Sequence, residues 1–172
     1  MMKHGHTIQV TIRLSLNPIC QAIATRPMSN ASRFSGIETA LAADGIVVST
    51  LRAAFPHALA IHVFGSQAQG MVDVASDLDL AILTAGYADP LALWDTANQL
   101  AEMIGCEVDL LDLRAASTVM QYQVLMGGRR LWAHEPDASL FECFVLSEKA
   151  ALDAARAGLL ADIVRDGQIQ GG

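Results

Sequence analysis

From Ile37 onward the apolar positions fall into segments whose spacing alternates between that of a helix and that of a strand. In IETALAADGIVVSTLRAAF the apolar residues recur three and four apart, which predicts one or two helices ending before Pro56. LAIHVF (59–64) is short, apolar and closed by glycine, the profile of a buried strand. DLDLAILT (77–84) predicts a second strand. Its two-residue period sets Asp77, Asp79, Ala81 and Leu83 on one face and Leu78, Leu80 and Ile82 on the other. Asp89-Pro90 supplies an N-cap and a first helical residue, and Gly105 a stop. The helix between them carries Leu93, Ala97, Leu100 and Ile104 as its sheet-facing stripe.

The second half repeats the alternation. CEVDLLDL (106–113) predicts a strand with Val108 and Leu110 opposite Glu107 and Asp109. A short helix about 117–126, the pair Gly127-Gly128 and a strand-like RRLWAH follow. Ser139-x-x-Glu142 reads as a capping box opening a long C-terminal helix to about Val164. Strands interleaved with helices specify an α/β (α+β) sheet protein. Residues 1–35 show no sustained period and read as a flexible N-terminal extension, with Met28 an alternative start, ahead of one domain over 36–172. Asn17, Pro18 and Gln21 interrupt LSLNPICQAIA, which makes it a poor core for a secretory signal.

Composition narrows the function classes. With 52% hydrophobic and 17% charged residues, the chain has the make-up of a folded globule. A net charge of −7 with 11 Lys plus Arg leaves no basic stripe to track a nucleic-acid backbone, so direct nucleic-acid binding is not expected. Cys20, Cys106 and Cys143 form no CxxC pair, which argues against a disulfide framework or zinc site and for a reducing, cytoplasmic setting. His62 lies in an apolar run and reads as a core or sheet-surface histidine, not a ligand. No apolar stretch approaches the roughly 20 residues of a membrane span.

The chemistry centres on VFGSQAQGMVDVASDLDLAIL. Asp77 and Asp79 on one strand face have Cα atoms roughly 6.6 Å apart. Carboxylates about 5 Å apart repel by on the order of 3 kcal/mol at an effective dielectric of 20. Magnesium would reverse the sign of that interaction, since hard cations take carboxylate oxygens. Gly65 lets the backbone approach a ligand, and Ser66 adds a hydroxyl donor beside the free N–H groups of a helix start. A phosphate cradle and a metal-binding DxD are the parts that phosphoryl or nucleotidyl transfer needs.

Gly65, Ser66, Ala68, Gly70, Ser76, Asp77, Asp79 and Leu80 stand at the spacing GSxAxGxxxxxSDxDLxV. This segment resembles the signature of the DNA polymerase β-like nucleotidyltransferase superfamily, and most of all its minimal nucleotidyltransferases. The downstream run VMQYQVLMGGRRLW…DASLFE is similar to the minimal-nucleotidyltransferase antitoxins that accompany HEPN-domain toxins. Together the resemblance covers about 37–164. It implies a polymerase β-like fold, a small mixed sheet flanked by helices with a C-terminal helix.

It also implies Asp77, Asp79 and Asp109 as catalytic and metal-binding residues, Asp109 standing in the VDL context of the third carboxylate. Gly65 and Ser66, with Asp77 and Asp79, would bind the nucleotide. Asp112 is the lesser candidate, because its parity puts it on the other face. Gln67 and Gln69 stand where many members carry arginine, which would leave more of the phosphate to Mg2+ and backbone N–H groups. The implied activity is transfer of AMP from ATP to a tyrosine of a cognate HEPN ribonuclease toxin, within a hetero-oligomer. A small-molecule nucleotidyltransferase and an antitoxin acting by contact alone are the alternatives.

Overall fold

The computed structural model describes residues 36–68 and 77–169. The extension expected over 1–35, and Gln69, Gly70 and Ser76 of the motif, lie outside the described residues. A helical turn at 36–40 precedes the regular elements, which follow as α1 (Ile46–Ala54), β1 (Ala58–Phe64), α2 (Gly65–Ala68), β2 (Leu78–Thr84), α3 (Pro90–Ile104), β3 (Val108–Asp112), α4 (Thr118–Gly127), β4 (Arg129–Ala133) and α5 (Asp137–Ile169).

The strands form one mixed sheet in the order β3-β2-β1-β4. β1 runs antiparallel to both β2 and β4, whereas β2 and β3 are parallel. A parallel pair needs a long crossover, and α3 supplies it. Asp89 caps α3 by accepting the Leu91 N–H at 3.3 Å. Pro90 is its first residue, and Gly105 ends it at φ 78°, donating its N–H to the Ala101 carbonyl. The local signs read from the sequence are therefore the ones that set this helix.

Both central strands are covered on two faces, which explains why they read as nearly continuous apolar runs. Ile61, Val63, Leu78, Leu80 and Ile82 pack against Val47, Val48 and Leu51 of α1 and Leu100 of α3. On the opposite face Ala60, Ala81 and Leu83 meet Val124 of α4 and Ala138, Phe141 and Val145 of α5. The edge strands β3 and β4 add Leu131 and partly buried apolar residues to these cores and carry exposed charges at Asp109, Arg129 and Arg130.

The start of α5 differs from the capping box read in the sequence. The helix begins at Asp137, so Ser139 already lies inside its first turn. Its hydroxyl donates to Glu135 Oε2 at 2.6 Å, and its N–H reaches the same oxygen at 3.4 Å. Glu135, ahead of the helix, thus does the capping, and Glu142 is drawn to Arg130 at 3.1 Å instead. The Ser139 hydrogen bond holds the Glu135 carboxyl below the usual range. Beyond Val145 the helix leaves the core, and Leu159 and Leu160 are exposed.

Candidate active site

β1 ends at Phe64, which pairs with Asp79 across the antiparallel ladder. Gly65 then turns the chain out of the sheet at φ 69°, a left-handed conformation that a side chain makes costly. A Cβ on Gly65 would collide with Oδ2 of Asp79. Glycine here does two things: it permits the turn, and it leaves the space the Asp79 carboxylate occupies. Ser66 follows within the single turn of α2.

Asp79 and Asp109 stand opposite each other in the parallel β2–β3 ladder, so both side chains emerge on one face. The strand expected from Asp77 begins at Leu78, so Asp77 stands just before β2, where its charge still acts on Asp79. Asp77 and Asp109 are exposed, and Asp79 is half-buried between them. Burial raises the pKa of the Asp79 carboxyl above its ordinary value, and repulsion from Asp109 and then Asp77 raises it further. The fold therefore brings three like charges to the end of the sheet where Gly65 has opened room.

Among the described residues no group of three His, Cys, Asp or Glu side chains is drawn together closely enough to enclose a metal ion. Asp79 and Asp109 share a face, with Asp77 just ahead of β2, and the three do not close on a point. Their chemistry nonetheless suits a hard divalent cation: the donors are all carboxylate oxygens, and the repulsion that pushes up the Asp79 pKa is what such a cation relieves.

Asp112 lies on the other face, as its parity requires, and has a structural task. Its buried carboxylate accepts N–H groups from Ala88 at 3.0 Å and Arg114 at 2.9 Å. These bonds tie the end of β3 to the loop between β2 and α3. His62 is 3% exposed, and its Nδ1 has no hydrogen-bond partner. Burial, followed by the charge of Arg130, lowers its pKa to about 4. The 3.9 Å gap to Glu142 Oε1 is too long for a hydrogen bond, so burial outweighs that carboxylate.

The core reading of His62 agrees with this placement. The group around it, with Arg130 bridging Glu135 and Glu142 at 3.1 Å each, escaped the sequence reading because nothing local links β1 to a helix some eighty residues away. Cys143 is an exposed free thiol. Among the described residues no helix is long and apolar enough to cross a membrane.

The model of the polymerase beta nucleotidyltransferase family matches residues 49–137. The protein adenylyltransferase MntA of Shewanella oneidensis is 37% identical over 118 residues, covering 69% of this chain and 85% of that protein. A crystal structure of a toxin-antitoxin with AMP-PNP contains a chain 37% identical with a TM-score of 0.62, over 69% of this chain and 95% of that one. A structure of tri-AMPylated Shewanella oneidensis HEPN toxin in complex with MNT antitoxin matches at 34% identity and a TM-score of 0.57, over 69% and 93% of the two chains.

Proposed function

Because the chain belongs to the polymerase beta nucleotidyltransferase family, we propose that it is an antitoxin that transfers AMP from ATP to a tyrosine of a cognate HEPN ribonuclease toxin, which it neutralises within a hetero-oligomer. The observation that carries the proposal is the in-register pairing of Asp79 with Asp109 beside Gly65. It gathers carboxylates where a nucleotide's phosphates can approach the backbone. A toxin-antitoxin structure with AMP-PNP and an MNT antitoxin in complex with a tri-AMPylated HEPN toxin, each containing a relative of this chain, support the choice of nucleotide and acceptor class.

Each residue has a chemical task in this reading. Ser66 and the adjacent N–H groups hold the outgoing pyrophosphate through hydrogen bonds. Asp109 orients the incoming tyrosine hydroxyl and takes up its proton, which is needed because a free phenol has a pKa near 10. The phenol oxygen bonds to the α-phosphorus as the bond from that phosphorus to the bridging oxygen breaks, releasing pyrophosphate. Magnesium, when bound, would be held by Asp77, Asp79 and Asp109 and would supply charge neutralisation at the phosphates.

The test is to co-express wild-type protein or Asp77→Asn with the toxin and weigh the intact toxin by mass spectrometry. Wild type should add the mass of AMP, and Asp77→Asn should lower transfer by about 10²-fold or more. The variant should still co-purify with the toxin, because the substituted face is only part of the contact. A toxin that is neutralised by wild type yet carries no added mass would replace this reading with the contact-only one.

A further inference from the structure

No Lys or Arg stands between Arg52 and Arg114, yet that stretch contains the entire candidate site and nine Asp or Glu residues. Five described cations are engaged with other groups. Arg52 lies over the Trp132 ring at 4.5 Å, from the helix behind the sheet. Arg114 donates to the Thr84 carbonyl at 2.9 Å, at the far end of β2 and about 17 Å along the strand from Asp79. Arg129 pairs with Glu38 at 3.2 Å, Arg130 with Glu135 and Glu142, and Lys149 with Asp153 at 2.5 Å. Among the described residues no Lys or Arg forms an ion pair with Asp77, Asp79, Glu107 or Asp109.

This balance is unfavourable for a site that takes a triphosphate. A nucleoside triphosphate keeps net negative charge with one divalent cation bound, and three carboxylates already face it. Gly65 to Ala68 beside it carry no charge. Hydrogen bonds from N–H groups and a serine help, but leaving pyrophosphate concentrates charge further, and fixed cations are the usual means of stabilising it. Among the described residues none is ion-paired with these carboxylates.

Taking the proposed AMP transfer to a toxin as its basis, we infer that the site is completed in trans. A Lys or Arg of the bound toxin enters the carboxylate end of the sheet and neutralises the triphosphate. The occupant is chosen by charge: the end formed by Asp77, Asp79, Glu107 and Asp109 is complementary to a basic surface, and only the acceptor protein must come there for transfer to occur. Such a cation makes transfer conditional on docking, so ATP is not spent when the toxin is absent. Arginines supplied by a partner are worth about 10³–10⁵-fold in rate in other phosphoryl transfers.

The experiment uses an ATP analogue with a methylene between the α- and β-phosphorus, which binds but cannot transfer AMP. It is titrated by calorimetry, with magnesium, into the full chain, the toxin and their complex. The complex should bind at least about 10-fold tighter than the full chain alone, as expected for a charge-assisted contact. One Lys→Ala or Arg→Ala substitution in the toxin should return the weak affinity while the complex still elutes intact.

Equal affinity in the free chain and the complex would overturn the inference. So would a comparable loss in the free chain on deleting residues 1–35, or on Arg156→Ala or Arg165→Ala, since the cation would then be supplied in cis. Failure of AMP to appear on the toxin with ATP refutes the proposed function. Transfer with an unchanged analogue affinity refutes only the cation in trans.

Discussion

Replacing Asp79 by Asn separates what the carboxylate does for activity from what it does to stability. Adjacent strands lie about 4.8 Å apart, so the Asp79 and Asp109 charges across the β2–β3 ladder stand on the order of 5 Å from each other. At an effective dielectric of 20 that repulsion is about 3 kcal/mol. Asp109 is exposed and Asp79 only half-buried, so solvent screening reduces the net figure to roughly 1 kcal/mol. For a chain of this size that corresponds to about 2–4 °C in Tm. Asp79→Asn should therefore melt higher than wild type at pH 7 in the absence of metal, while its AMP transfer falls.

The pH dependence follows from the direction of the shift. The folded state raises the Asp79 pKa above its unfolded value, so its stability contribution is intact at low pH and is lost as pH rises through the folded pKa. The advantage of Asp79→Asn should vanish below about pH 4, where the wild-type carboxyl is protonated in both states. Magnesium with ATP should reverse the order, because a ligand bound only by the native wild-type site raises its stability. Scanning fluorimetry over this pH range is the assay. A lower melting temperature for Asp79→Asn at pH 7 without metal would refute the electrostatic reasoning.

Three further outcomes are expected. Gly65→Ala should cost about 2 kcal/mol or more in urea denaturation, combining a left-handed backbone with the collision at Asp79; a neutral effect would mean the turn adapts. His62 has its pKa lowered from 6.5 to about 4, so the stability it confers above pH 6.5 should decline by roughly 3 kcal/mol as pH falls toward 4, and His62→Leu should flatten that decline in pH-dependent denaturation. ATP should raise the wild-type Tm in magnesium and much less in EDTA, since the carboxylates repel the phosphates until a cation joins them; equal shifts would remove the metal role of Asp77 and Asp79.

The sequence by itself determined the elements wherever the physics is local. The Asp89-Pro90 start and Gly105 stop of α3, and the buried runs of β1 and β2, depend on neighbours a few residues away. Strand alternation also separated Asp109 from Asp112 before any fold was known. The beginning of α5 escaped that logic, because two groups competed to cap it. Glu135 captured Ser139, and Arg130, brought over on β4, drew Glu142 away from the capping role.

Only the tertiary structure decided which distant residues meet. The register of β2 against β3 sets Asp79 opposite Asp109, and Gly65 leaves room for the Asp79 carboxylate. Register is a property of strand pairing across the whole sheet and cannot be read from either strand alone. The same holds for charge. The cation-free stretch between Arg52 and Arg114 is plain in the sequence, but only the fold shows that the flanking arginines are turned to Trp132, Thr84, Glu38 and the Glu135–Glu142 pair. Electrostatic energy depends on distance in space, and the chain order does not contain it.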